Sequence, residues 1–281
     1  MGTIWDQIIA GKYDDDTGFI KELSVPALTE EFAEILDEQR NASNQDPLFS
    51  EYVGLTPLQM AAVNHEVNLF KHLAGLINKL DANSDSFNEN LKQVYALLSA
   101  SCQFKPYEGF QAAHFATYGG FHEIVKCIVD IDGVLQKHLN STESLLQIEA
   151  ANMGECGLLG FTLAFRADDF KILNLLVNAN NINQPMNTQG DTPLVYCIQH
   201  GSSIEIIDWL LRQDGMDVNT WSSGWMETNA LCAAVVAERE DVVDRLLSIP
   251  SLCINNIMGL YENCGHIAVR NNQHGILKKL L

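Results

Sequence analysis

The segment GDTPLVYCIQHGSSIEIIDWLL, starting at Gly190, repeats in outline one that starts at Gly54, GLTPLQMAAVNHEVNLFKHL. Each runs Gly-x-Thr-Pro-Leu, a short apolar stretch, a turn and a second apolar stretch with helical periodicity. Four weaker copies follow the same outline: GFQAAHFATYGGFHEIVKCIV from Gly109, GLLGFTLAFRADDFKILNLLV from Gly157, ETNALCAAVVAEREDVVDRLL from Glu227 and YENCGHIAVRNNQHGILKKLL from Tyr261. A helix of two turns is marginal alone in water, because nucleation costs more than a few hydrogen bonds return. Such a helix needs cover from elsewhere. A chain made of these units supplies it by stacking them, since one unit cannot bury its own apolar face.

The recurring residues have local reasons. Thr56 and Thr192 can cap a helix through the hydroxyl, and Pro57 and Pro193 fill a first turn where no amide donor is missed. Gly120 and Gly201 suit a left-handed helix ending. Ala61, Ala62, Ala116, Ala164 and Ala268 are small enough for close stacking of the first helices. The second helices carry larger groups: Leu69, Phe70 and Leu73; Ile124, Val125 and Ile128; Ile206, Ile207 and Leu210; Val242, Val243 and Leu246.

On these motifs the chain resembles the ankyrin repeat, a family whose unit is two antiparallel helices followed by a loop projecting at roughly a right angle. The resemblance implies an all-α ankyrin-repeat solenoid of stacked helix-turn-helix units with projecting loops. His114 and His266 stand where the family usually has a histidine bonded to neighbouring backbone. From Gly157 onward the copies start at roughly the family interval of about 33 residues. Before it the spacing stretches. We therefore expect an ankyrin-repeat domain over residues 51–281, with helical insertions near 78–106 and 130–156 that contain LKQVYALLSASC and ESLLQIEAANMG. Residues 1–50 are expected to form a helical N-terminal cap or a degenerate repeat. There TEEFAEILDEQRN is an amphipathic helix opened by Thr29, and IWDQIIAGKYDDDTGFIKEL has a helix-glycine-helix rhythm. The chain stops at KKLL, inside the last second helix; either this helix is the cap or the natural protein continues, and continuation is the expectation.

The formal net charge of −19 argues against duplex nucleic acid or an anionic membrane as partner, since both reward clustered Lys and Arg. No basic-then-apolar leader opens the sequence, Asp6 replaces the hydroxyl residue of a myristoylation site, and no apolar run approaches membrane-spanning length. The seven cysteines are odd in number, scattered and without CxxC pairing, so they are read as reduced, mostly buried small hydrophobes in a cytoplasmic protein.

No catalytic constellation emerges. Cys264-Gly265-His266 puts thiol and imidazole side by side in sequence, but neighbours on a helix do not face each other, and His266 has the structural position above. His65-Glu66 is followed by Leu69 where a zinc-binding HExxH motif needs histidine. The remaining histidines lack metal-ligand spacing, Asp14-Asp15-Asp16 lacks the alternation of a calcium loop, and neither a phosphate loop nor a GxSxG elbow occurs. The sequence therefore predicts no enzyme, no cofactor and no metal.

Binding residues are read from the resemblance, in which partners meet loop tips and the exposed side of the first helices. The loop DGMDVNTWSSGWME, Asp214 to Glu227, offers Trp221, Trp225 and Met226 around small residues, and tryptophan is enriched at interface hot spots. Phe110 and Tyr118 are expected at exposed positions of their repeat. Arg166, Gln199, His200, Arg270 and Asn271 are expected on the concave side. LRQDGMDVN, Leu211 to Asn219, also matches the Leu-x5-Asp-Val-Asn context in which ankyrin-type asparagines are hydroxylated by an oxygen-sensing dioxygenase; Asn183 and Asn255 occupy similar sites. The plainer role for Asn219 is a bond to loop backbone.

These readings predict a module that binds a partner protein. The alternative is the targeting region of an enzyme whose catalytic domain lies beyond Leu281 or in the insertions. Degenerate repeats, long insertions and abundant asparagine also look similar to ankyrin proteins that intracellular bacteria inject, which would make the chain an effector acting on a host protein in host cytoplasm.

Overall fold

The computed structural model describes residues 55–79, 87–102, 107–139, 144–147, 157–178, 180–187, 189–223, 227–255 and 262–281. The two N-terminal segments read above as helical lie outside the described residues. Among the described residues every regular element is a helix. The chain divides into two compact units, Met1–Met153 with Asn174–Leu176, and Gly154–Leu173 with Val177–Leu281.

In the first unit, α1 (Pro57–Val63) pairs with α2 (Val67–Lys79), and α4 (Ala112–Gly119) pairs with α5 (His122–Leu139). α3 (Phe87–Ser99) lies between these pairs in sequence and packs on α4 and α5. α1 starts where the sequence says it should. The Thr56 hydroxyl accepts the Gln59 N–H at 3.1 Å, the Gln59 carboxamide oxygen accepts the Thr56 N–H at 2.9 Å, and Pro57 fills the first turn. α1 packs on α4, and α2 on α5, so first helices meet first helices and second meet second.

Two fully buried glutamines fasten the end of α3. Gln59 donates to Ala100 O at 2.7 Å and Phe110 O at 3.1 Å, and Gln111 donates to Ser99 O at 3.1 Å. The last carbonyls of a helix have no partner within it, so buried donors from a neighbouring repeat meet a real need. On α5, buried Asp132 accepts from Leu145 N–H and the Ser144 hydroxyl, both at 2.7 Å, and so fixes a short 3-10 turn at Leu145–Gln147.

The second unit repeats the theme with less interruption. Its first helices are α6 (Leu158–Phe165), α8 (Pro193–Gln199), α10 (Ala230–Val236) and α12 (Cys264–Arg270). Each is followed by a second helix: α7 (Phe170–Leu176, whose last residues, Asn174–Leu176, belong to the first unit), α9 (Ile204–Leu211), α11 (Glu240–Leu247) and α13 (His274–Leu280). Consecutive first helices pack from α6 through α12, and second helices from α9 through α13. Thr192, Asn229 and Asn263 cap α8, α10 and α12, each accepting the N–H three residues on.

One bond closes the turn in five of the six pairs. The carbonyls of Ala61, Ala116, Cys197, Ala234 and Ala268 accept the N–H of Glu66, Phe121, Ser202, Arg239 and Gln273, at 2.8–2.9 Å. That closure needs a left-handed residue. Gly120 and Gly201 provide it at φ of 73° and 69°, but His65, Glu238 and Asn272 adopt 60°, 55° and 57° at the same place. Packing over-determines these three against their own preference.

The aliphatic residues expected inside the second helices are all buried. So are Ala61, Ala62, Ala116 and Ala268. Ala164 is not. α6 ends when Arg166 N–H bonds Thr162 O at 2.7 Å, so its buried run stops at Leu163 and Ala164 turns outward. Cys102, Cys127, Cys197, Cys232 and Cys264 are buried free thiols. Burial pushes Cys197 and Cys232 up to about 12, so neither is a nucleophile at neutral pH.

Candidate binding surface

Two residues beyond each carbonyl that closes the turn stand Val63, Tyr118, Gln199, Val236 and Arg270, all exposed. α6 likewise ends on an exposed residue, Phe165. Within the second unit the series Phe165, Gln199, Val236 and Arg270 thus marks one end of successive first helices. Phe165 is 41% exposed and Val236 47%, in a unit whose other large apolar side chains are mostly covered. Water gains nothing from such groups, and exposed apolar residues at the same end of successive first helices point to a surface that another molecule covers.

The side chains around this series are ordered by one another. Phe165 stacks at a tilt on Phe161, with ring centroids 4.8 Å apart. His200, exposed, stacks on Tyr196 at 4.0 Å and places Nδ1 2.9 Å from Tyr196 O. Gln199 is exposed beside it, and Arg166, at the end of α6, is half-buried. In the first unit Tyr118 is 53% exposed, as expected.

Phe110 corrects the sequence reading. It is 1% exposed and cannot touch a partner. It precedes the Gln111 cap of α4 and meets Phe115 edge-on, centroids 5.3 Å apart, and also packs on Tyr107. An apolar residue just before the cap that packs on the fourth helical residue is a hydrophobic staple. The Phe-x4-Phe spacing carried that signal.

The loops are pinned at their bases. The Ser222 hydroxyl donates to Gly190 O and to the Asp191 carboxylate, both at 3.0 Å, while Ser223 N–H reaches Gly190 O at 2.9 Å. Ser222 N–H also bonds Thr228 O at 2.8 Å, across the tip of the same loop. Trp221 beside them is half-buried; Trp225 and Met226 lie outside the described residues. Asn219 has the plainer role foreseen for it. Its side-chain amide donates to Ser251 O at 2.8 Å and its oxygen accepts Cys253 N–H at 2.7 Å.

Phe165 and Val236 were missed because a valine or phenylalanine at the end of a helix reads as core in one sequence. Aligning the copies on their turns, which places Val236 beside Tyr118 and Gln199, would have found the valine; Phe165 falls one residue before that register, where Arg166 stands. Among the described residues, no cluster of His, Cys, Asp or Glu could hold a metal ion, and no helix is long and apolar enough to cross a membrane.

Comparison with known proteins agrees with this architecture. A sequence model described as ankyrin repeats (3 copies) matches residues 131–222 and 161–256. Among solved structures, the ankyrin repeat domain of Bcl-3, described as a unique member of the IkappaB protein family, is similar with a TM-score of 0.55. That similarity covers 99% of this chain and 98% of that one at 13% identity, so it speaks for the fold alone. No curated protein sequence matches the chain. Ankyrin repeats are general protein–protein interaction modules, stacked so that they present an extended face. Helix pairs closed by one recurring turn, the sequence match over residues 131–256 and the similarity of fold together show an ankyrin-repeat fold.

Proposed function

We propose that the chain binds a partner protein through the exposed ends of the first helices in its second unit, together with the adjoining loop tips. Phe165 and Val236 are the apolar anchors, and Gln199, His200 and Arg166 supply polar contacts between and beside them. Trp221, Trp225 and Met226 extend the surface along the Asp214–Glu227 loop, and Tyr118 offers a separate aromatic contact in the first unit. The observation that carries this reading is the recurrence of exposed side chains at the ends of successive first helices.

The test starts with a partner captured by the full chain and measures its affinity for two double variants, Phe165→Ser with Val236→Ser, and Trp221→Ala with Trp225→Ala. Truncating hot-spot anchors weakens binding by roughly 2–4 kcal/mol. Unchanged affinity in both variants, with melting temperatures retained, removes this surface from consideration.

Hydroxylation of Asn219 is a separate proposal, resting on the LRQDGMDVN context. A mass gain of one oxygen at Asn219 after treatment with an asparaginyl hydroxylase supports it, and none under saturating conditions ends it. Free buried thiols fit a cytoplasmic setting. If the effector resemblance holds, that setting is a host cell and the captured partner is a host protein.

A further inference from the structure

Residues 154–281 contain five arginines, and four of them are held by carboxylates. Arg212 pairs with Asp208 at 3.6 Å, Arg245 with Asp208 at 2.6 Å, Arg239 with Asp241 at 2.7 Å, and Arg270 with Glu262. Arg166 is the exception. Its side chain makes no hydrogen bond or ion pair among the described residues, and its Nε is shut off from water. Acids stand close in sequence without answering it: Asp169 caps α7 by accepting the Ile172 N–H at 3.2 Å, and Asp168 is exposed. In a chain with 36 acidic residues against 17 lysines and arginines, an unmatched guanidinium does not reflect a shortage of carboxylates. A half-buried cation without an acceptor loses hydration and gains nothing in exchange, so it is poised for an anion that arrives from outside.

The position of Arg166 says what else that anion meets. It is the C-cap of α6, at the register that Gln199 and Val236 hold in the next two repeats. Phe165 beside it is 41% exposed and stacks on Phe161. α6 packs on α8, whose last residue, Gln199, is exposed and makes no side-chain hydrogen bond among the described residues. This end of two neighbouring first helices therefore offers one unmatched cation, an exposed aromatic ring and an uncommitted amide.

We infer that the α6–α8 end takes an acidic peptide segment of a partner protein, with an Asp or Glu carboxylate on the Arg166 guanidinium and an adjoining apolar side chain on Phe165. This inference rests on the protein-binding reading above and names the chemistry of the partner. The guanidinium is planar and forked, so a carboxylate meets it through two parallel bonds, which a half-covered site strengthens. One cation matches one carboxylate charge, whereas a phosphate would bring nearly two charges to a site flanked by Asp168 and Asp169. The net charge of −19 repels acidic segments from the rest of the surface, so one that binds is confined to this point.

Random unmodified peptides displayed on phage and selected on the full chain supply the probe, and fluorescence anisotropy of a selected peptide reads its affinity. The selected peptides should carry Asp or Glu next to an aromatic or aliphatic residue. Arg166→Gln should weaken binding about tenfold or more at unchanged melting temperature, and Arg166→Lys should recover only part of the loss. Arg166→Glu should bind the peptide whose acid is changed to lysine. The double variant Phe165→Ser with Val236→Ser separates the two readings. If it loses the peptide while Arg166→Gln keeps it, the surface stands and the carboxylate inference falls. If both variants keep it, both readings fall. A selection that returns no acidic peptide overturns the inference, as does self-association lost in Arg166→Gln, which would assign the cation to a second copy of the chain.

Discussion

The ring of His114 holds the start of its own helix, accepting the Gln111 N–H on Nδ1 at 3.2 Å while it lies wholly out of water. Burial lowers its pKa from 6.5 to about 4, because a charged imidazole there would be desolvated. The unfolded chain binds that proton near pH 6.5 and the folded chain does not until about pH 4. Stability from this group is therefore complete above pH 6.5 and falls as pH drops toward 4, by about 3 kcal/mol over the interval. Urea titrations at pH 7, 6 and 5 should show this slope. His114→Gln should flatten it relative to the parent, whatever the variant costs at pH 7. An identical slope in both proteins would assign the acid sensitivity to other groups.

Asn219 is expected to behave as a staple between loops. Asn219→Ala removes two backbone hydrogen bonds at a half-buried site and should cost about 1–2 kcal/mol. Hydrogen exchange at the Cys253 amide should accelerate in the variant. Asn219→Asp keeps the acceptor and loses the donor, so the Cys253 amide should stay protected.

Glu238 occupies a left-handed position, φ 55°, that Gly120 and Gly201 fill elsewhere. Glu238→Gly should stabilise the protein by about 0.5–1 kcal/mol, since the strain removed exceeds the extra freedom gained by the unfolded chain. Gly201→Ala should do the reverse. Opposite shifts in denaturation midpoint confirm both. A loss of stability in Glu238→Gly would mean that the turn is not strained.

Leu210 is fully buried on α9, which packs on α8 and α11. Leu210→Ala leaves a cavity between repeats and should cost roughly 2–5 kcal/mol. The paired control is Arg245→Ala. Arg245 bonds Asp208 at 2.6 Å on the outside of the same helices, an exposed ion pair expected to contribute at most about 1 kcal/mol. Comparable losses for the two would overturn the view that apolar burial, not surface charge, holds neighbouring repeats.

Much of the local structure was written in adjacent residues. Thr56-Pro57, Thr192-Pro193 and the apolar stripes of the second helices act within one or two turns, so their caps and buried faces could be read without knowing what they meet. His114 and His266 likewise hold backbone three residues away. Exposure could not be read in this way. Phe110 and Phe165 are both phenylalanines at helix ends, yet one is a staple inside the core and the other stands in water. The difference lies in what packs across each end: Tyr107 and Phe115 enclose Phe110, whereas α6 stops at Phe165 with its outer side open. Ala164 went astray for the same reason, since the single bond from Arg166 to Thr162 set where the buried face ends. By itself the sequence determined where the Thr-Pro helices begin and which apolar residues line the second helices, because caps, prolines and helical periodicity are local. Only tertiary structure decided which side chains are left facing water and which loop Asn219 grips, because those depend on the register between repeats that local preferences do not specify.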